Sequence, residues 1–250
     1  MLKDAPVPGR PILFDRVFTR VCHIRQGNEA RGRHIQREFS TRGVPVNFFL
    51  DWDASDLSPE IRNSFATPGL KDAVVSLAMK HHGIWQEFIA SKMPYCLVFE
   101  DDVFLAANFV SRLADCIDEL GSPDRFAVVY LGNAGNYYIP LLGLQRGRCL
   151  YPARHGRCTD SYVITRPVAE ARCAWFARNK QTIAIDHQID IMDKELGVEI
   201  LWFERPIVEQ GTHTGAFKSS IDVGTRDRGW LKRLLWHWKK YTRQIFGHMR

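Results

Sequence analysis

Three consecutive acids, Glu100-Asp101-Asp102, end a run of five apolar residues, Tyr95-Cys-Leu-Val-Phe99. Adjacent carboxylates repel, and their crowding is tolerated most easily where a cation is held. A hard divalent ion takes carboxylate oxygens together with substrate phosphates and water. Alternate residues of an extended segment point to one side, which makes Glu100 and Asp102 the candidate ligands for such an ion. The competing reading is a solvated acidic turn, with Asp101 or Asp102 facing the positive end of the next helix. Asp51-Trp-Asp53 is a second D-x-D after a short apolar stretch. Asp53 there suits contacts to a nucleoside, or a solvated strand end. His213 sits in the glycine-flanked stretch Gln210-Gly-Thr-His-Thr-Gly215. A neutral imidazole there is either a further metal ligand, carried by a loop closing over its substrate, or a surface residue. Asp186 follows Ile183-Ala-Ile185 and opens a predicted helix, as a general base or as the N-cap. Asp160 and Asp190 are lesser candidates for the base.

The elements that must position these side chains alternate. Residues 17–24 predict a strand and 28–40 a helix, with Asn28 as N-cap and Ile35 and Phe39 as an i,i+4 pair. Residues 46–50 predict a short strand. Val74, Ala78, His81, Trp85 and Phe88 recur on one face of a helix over 71–91. His81 on that face is a core histidine or a ligand contact. The run 95–99 suits a strand buried on both faces. An amphipathic helix over 108–120 and a strand over 126–131 follow. Beyond a Gly- and Tyr-rich stretch at 132–147, the pattern predicts a strand at 161–165, helices at 167–178 and 186–196, and a strand at 198–203. The first 130 residues thus predict an α/β layer with a parallel sheet.

At 250 residues, 45% hydrophobic and 25% charged, the chain has the composition of one large globular domain rather than a disordered one. No apolar run reaches the roughly 18 residues of a spanning helix, and the first sixteen residues, with four prolines, read as an extended arm rather than a secretory signal. The six cysteines form no C-x-x-C pair and predict reduced thiols. The net charge of +6 is local: residues 226–250 hold eight Lys/Arg and one acid, leaving −1 for residues 1–225. This distribution argues against nucleic acid as a partner. In the tail, Trp230, Leu231, Leu234, Leu235, Trp238 and Tyr241 share one helical stripe beside the basic residues. That is the composition of a helix lying on an anionic membrane, or of a terminal helix docked on the body. The expected organisation is one domain over 1–225 with a basic amphipathic tail at 226–250.

Leu97-Val-Phe-Glu-Asp-Asp-Val103 resembles the E-D-D strand end of the family 25 glycosyltransferases, which include bacterial lipooligosaccharide sugar transferases and collagen galactosyltransferases. Other pieces follow in the family's order. Arg31-x-x-x-Ile35 is similar to part of its E-R-R-x-x-I helix, and His81-x-x-x-Trp85-Gln86 to its S-H-x-x-x-W-Q helix. Val129-Tyr-Leu-Gly132, Tyr162-Val-Ile-Thr-Arg166, Ile185-Asp-His-Gln188 and Pro206-x-x-x-Gln210 with Ser219-Ser-Ile221 complete the series, so the resemblance spans residues 17–222. Three places depart from it: Lys80 stands where Ser is usual, Gly32 where a second Arg is, and His23-Ile-Arg25 where N-L-D is.

The resemblance implies a GT-A-like fold with a mostly parallel sheet, and an inverting transfer from a nucleotide sugar, with UDP-galactose as the expected donor. It implies Mn2+ or Mg2+ at Glu100, Asp102 and His213, donor contacts from Arg31, Asp53, His81, Asp101 and Gln210, and Asp186 as base. The expected acceptor is a lipid-linked lipooligosaccharide or related surface glycan, met at the inner face of the cytoplasmic membrane. Two other readings remain: an Mg2+-dependent phosphotransfer or receiver-type domain, and a non-catalytic sugar-nucleotide-binding scaffold at the membrane.

Overall fold

Side chains of successive strand residues point to opposite faces of the sheet and are buried on both, so an apolar layer lies on each side. The structure, a computed structural model, describes residues 13–133, 137–211 and 217. In chain order the elements begin with β1 (Val17–Cys22), α1 (Glu29–Arg42), β2 (Phe48–Phe49), α2 (Pro59–Phe65) and α3 (Asp72–Ser91). Next come β3 (Tyr95–Glu100), β4 (Val103–Leu105), α4 (Phe109–Leu120), β5 (Ala127–Tyr130) and β6 (Leu150–Pro152). The series ends with β7 (Ser161–Thr165), α5 (Arg166–Phe176), α6 (Ile185–Leu196), β8 (Glu199–Phe203) and β9 (Val208–Gln210).

Seven strands form one sheet in the order β2-β1-β3-β7-β5-β8-β6, and β4 pairs with β9 apart from it. β1 runs parallel to both β2 and β3, and β5 runs parallel to β8. β7 is antiparallel to both β3 and β5, and β6 is antiparallel to β8. Five strands therefore share one direction, in line with the mostly parallel expectation, and β7 is a reversed strand at the centre.

Leu97 and Phe99 of β3, with Val129 of β5 and Val163 of β7, pack against Ile35 and Phe39 of α1 and Phe109 and Leu113 of α4. Cys96, Val98, Val128 and Ile164 point the other way, onto Trp85 and Phe88 of α3, Val168 of α5 and Met192 of α6. The sheet is covered on both faces, which is why β3 and β5 are apolar without alternation. On the second face Arg172 and Asp193 form a bidentate ion pair at 2.9 and 2.7 Å with no side-chain exposure, locking α5 to α6. Truncating one partner of such a pair costs about 3–5 kcal/mol, because the other charge stays buried alone.

Several expectations are corrected. Asp101 and Asp102 are 6% and 2% exposed, and β4 separates them from the next helix, so the acids are neither a solvated turn nor a helix cap. Residues 101 and 102 form a turn rather than a continued strand. Leu13, assigned to the arm, is part of the core. Val75, not Val74, is the fully buried valine of α3. The cap of α6 is Ala184, which places Asp186 inside the first turn. The pairings of β4 with β9 and of β6 with β8 have no counterpart in the sequence pattern, since three-residue strands carry no readable period. The cysteines are free, as expected. His213 and the tail at 226–250 lie outside the described residues.

Candidate active site

The carboxyl end of β3 and the start of the reversed strand β7 bring acids from distant parts of the chain together. The backbone N–H of Glu100 donates to Asp160 O at 2.9 Å, so the two residues face each other across the sheet edge. Glu100 Oε1 accepts the Thr159 hydroxyl at 2.7 Å, and Gln210 Nε2 lies 3.4 Å from Oε2. Burial first, then the charge of Asp102, pushes the Glu100 carboxyl up to about 8. Burial also raises Asp160 to about 8, with Asp102 adding to it and the N–H of Ser161 working against it. Asp160 Oδ1 accepts that N–H at 2.8 Å, whereas its buried Oδ2 has no hydrogen-bond partner. A Cβ on Gly132 would collide with the same carboxyl, so glycine at the end of β5 is what admits Asp160 to this position.

Asp101 faces the opposite way. Its Oδ2 lies 2.7 Å from His23 Nδ1 and its Oδ1 accepts from Arg31 Nη1 at 2.7 Å. Asp53 is engaged too: Lys80 Nζ donates to Oδ1 at 2.7 Å, and the Arg25 N–H and Nε donate to Oδ2 at 3.0 and 3.2 Å. Burial would raise the Asp53 carboxyl, but the Lys80 and Arg25 hydrogen bonds outweigh it and hold it below the usual range.

These contacts explain the three departures from the family pattern. His23 fits because residue 32 is glycine; a Cβ there would stand 3.0 Å from His23 Nε2. Arg25 and Lys80 both serve Asp53. The replacements form two local sets, His23–Gly32–Asp101 and Arg25–Lys80–Asp53, each internally matched.

His81 is fully buried, with Nδ1 2.9 Å from Tyr162 Oη and Nε2 4.0 Å from Glu100 Oε1. Burial, reinforced by Arg172, lowers its pKa to about 3, so the ring is neutral. In this structure its route to a ligand runs through Glu100. Asp186 is half-buried, and its Oδ1 accepts the N–H of His187 at 2.9 Å. The Cys158 thiol is raised mainly by burial, then by the charges of Glu100, Asp160 and Asp186. Asp190 is drawn away, accepting the Gly156 N–H at 2.6 Å. Cys158 itself holds a φ of 90°, a costly backbone for a residue with a Cβ.

Beside the acids, α1 and the ends of β1 and β2 enclose a hollow of about 290 Å³ lined by His23, Arg25, Glu29, Arg33, Phe48 and Leu50. Arg33 is not among the residues singled out from sequence, and Arg25 stands out there only as a departure from the N-L-D pattern. Gly211 N donates to Asp102 O at 2.6 Å, so the chain after β9 returns to the acidic turn. Among the described residues no three His, Cys, Asp or Glu side chains are grouped to hold a metal ion.

The raised carboxyls carry a pH dependence whose sign is fixed. Between the ordinary carboxylate range and about pH 8 the native protein keeps protons that the unfolded chain has lost. Their contribution to stability therefore falls as pH rises through that window and levels off above it. In EDTA, the thermal midpoint of the wild-type protein should fall more steeply between pH 5 and 8 than that of Glu100→Gln or Asp160→Asn. Equal slopes in all three proteins would mean that neither carboxyl keeps its proton.

Residues 26–140 match the family model described as Glycosyltransferase family 25 (LPS biosynthesis protein). The lipooligosaccharide biosynthesis protein lic2B of Haemophilus influenzae is 35% identical over 92 residues, which are 34% of this chain and 34% of that protein. The lacto-N-neotetraose biosynthesis glycosyltransferase LgtB of Neisseria gonorrhoeae is 32% identical over 111 residues, 40% of this chain and 39% of that one. A human protein named inactive glycosyltransferase 25 family member 3 is 31% identical over 78 residues, 31% of this chain and 13% of that one. The matched stretch thus spans little more than a third of the bacterial relatives. It contains α1, the acidic turn and β5. Residues 26–140 are therefore similar to glycosyltransferase family 25 over a little less than half of the chain.

Proposed function

We propose that this protein is an inverting glycosyltransferase that moves a hexose, galactose in the first instance, from a UDP-sugar to a lipooligosaccharide or related glycan. The observation that carries the reading is the crowding of Glu100, Asp102 and Asp160 at one sheet edge, within or beside the stretch that matches the family. Ligands of open α/β sheets bind beyond the carboxyl ends of the strands. The hollow lined by Arg25, Arg33 and Phe48 adds two guanidiniums and an aromatic ring, which suit a diphosphate and a nucleobase.

A divalent ion fits the donor set in kind. Carboxylate oxygens are hard ligands, and two raised carboxyls, one with a buried oxygen lacking a partner, are what a cation would relieve. Glu100 and Asp102 are the residues that would hold Mn2+ or Mg2+, with phosphate oxygens and water completing the shell. Bound there, the ion would supply charge to neutralise the departing diphosphate. Arg31 fixes Asp101, and with it the turn, while Gln210 and Thr159 orient Glu100. Asp186, half-buried in the first turn of α6, accepts the proton of the attacking acceptor hydroxyl. His213, outside the described residues, is the third proposed ligand of the ion.

No helix among the described residues is long and apolar enough to cross a membrane. The reading places the reaction at the inner face of the cytoplasmic membrane, with the basic tail at 226–250 in contact with anionic lipid.

A second reading, a sugar-nucleotide-binding protein without transfer, is favoured by the engagement of both Asp53 and Asp101 in internal ion pairs. A phosphotransfer domain is not favoured by any contact described. A panel of nucleotide sugars, with and without Mn2+, separates the readings. The transferase reading expects metal-dependent release of sugar from one UDP-hexose, together with a thermal shift. A thermal shift without release supports the scaffold, and neither response sinks both readings.

A further inference from the structure

Of the described residues, four large hydrophobic side chains are exposed, and two of them are neighbours: Leu141 at 45% and Leu142 at 100%. They cap the long connection between β5 and β6. The tip is a turn of 3-10 helix over Leu141–Gly143. Its backbone is bonded internally, with Gly143 N donating to Pro140 O at 2.8 Å and Leu144 N to Leu141 O at 3.2 Å. The returning arm is braced: Gln145 N donates to Tyr151 Oη at 2.7 Å, and Arg148 N to Gln145 O at 3.2 Å. Tyr137 packs on His155 and Trp202, with ring centroids 4.6 and 5.8 Å away, fixing the outgoing arm to the body.

The charge around this tip has one sign. From Arg125 to Thr159 the chain contains five arginines and no acid. Arg146 and Arg154 are exposed, the first only four residues beyond Leu142. Two acids packed at the base are already engaged. Glu119 accepts the N–H groups of Cys149 and Leu150, and Glu204 pairs with Arg112. Exposed leucines at a tight turn, with an exposed arginine four residues on, are the chemistry of an anchor in the interface of an anionic bilayer.

We infer that the 139–148 loop is a lipid-interface anchor, in which Leu141 and Leu142 enter the headgroup–acyl boundary while Arg146 meets anionic headgroups. The loop leaves the carboxyl end of β5, the sheet edge at which Glu100 and Asp160 meet. Its foot reaches the same place, since Asn133 donates to Tyr138 Oη, and the buried Arg157 guanidinium lies within electrostatic reach of both Tyr138 and Asp160. Anchoring this tip turns the acidic edge toward the membrane. The inference stands on surface chemistry alone and rests on neither the transferase reading nor the tail.

The test uses the full chain with vesicles of phosphatidylcholine alone or with about a third phosphatidylglycerol. Co-sedimentation gives the partition, and deuterium exchange reports peptides covering 139–148 and 226–250 separately. The anchor requires slowed exchange at 139–148 on the anionic vesicles. It also requires partition at least about tenfold weaker for the double variant Leu141→Ser/Leu142→Ser, as expected when two leucines lose their apolar contact. Arg146→Gln should weaken binding to anionic vesicles and leave the small residual binding to neutral ones unchanged. Protection confined to 226–250, or an unchanged partition of the double variant, overturns the inference. So does protection of 139–148 that grows with protein concentration in the absence of lipid, which would mark a contact between copies. Normal folding of the double variant is checked by its melting curve, and both leucines are exposed enough for that curve to be unchanged.

Discussion

Replacing Asp102 by alanine should abolish sugar transfer and the metal-dependent part of UDP affinity while leaving the protein folded. Asp102 is 2% exposed, and its charge raises the carboxyls of both Glu100 and Asp160. Its removal relieves repulsion in the metal-free protein, so the variant should melt no lower than wild type in EDTA. The gain in melting temperature that Mn2+ gives the wild type should vanish. The loss in turnover should exceed about 10³-fold, since stabilising the charge that develops on a leaving group lowers such a barrier more than most other effects do. Calorimetry with UDP and Mn2+, alongside an activity assay, reads both effects. Full activity of Asp102→Ala, or of wild type in EDTA, would sink the metal assignment. An inactive variant that still binds UDP with wild-type metal dependence would move the ion to other ligands.

The second large effect belongs to Asp186. Asparagine there keeps the size and the hydrogen bond from the His187 N–H but cannot take a proton at neutral pH. Transfer should fall by about 10²–10⁴, with UDP affinity and the melting temperature nearly unchanged. Because a base acts on the acceptor hydroxyl, its loss should be read in kcat with acceptor present, and hydrolysis of the donor by water should fall less. Asp190→Asn serves as the control on the same helix, since its carboxyl is held by the Gly156 N–H. Equal losses in the two variants would reduce Asp186 to a structural acid of the first helical turn.

Much of the scaffold behind these residues is legible in the sequence. The three- and four-residue apolar steps of α3 and α4 and the unbroken apolar run of β3 announce elements that pack into a core, and Phe109, Leu113, Cys116, Ile117 and Leu120 are all buried on one side of α4. The acidic turn is legible because charge directly after a buried strand is chemically conspicuous. What stays hidden depends on pairing between distant residues. Nothing near Asp160 in sequence says that it meets Glu100, because their meeting is set by the antiparallel register of β7 on β3. Lys80 and His23 look in sequence like isolated departures from a motif, yet their meaning lies in Asp53 and Gly32, residues 27 and 9 positions away in the chain. Arg33 gains significance only from the hollow it lines. Short elements such as β4 and β9 escape because three residues cannot establish a period.

The reversed strand at the centre of the sheet also constrains the order in which the protein can be assembled. β1, β2 and β3 are complete by residue 100, and β5 by residue 130, but the strand that joins them spans Ser161–Thr165. Until it arrives, β3 and β5 each present an unpaired apolar edge, Tyr95–Glu100 and Ala127–Tyr130. Such edges invite pairing with other chains, and contacts made across so many residues form slowly. On a ribosome the first of these edges must wait more than 60 residues of synthesis for its partner. The same docking event that seals the sheet brings Asp160 against Glu100, so the nascent chain acquires its acidic crowding and loses its stickiest edges in a single step.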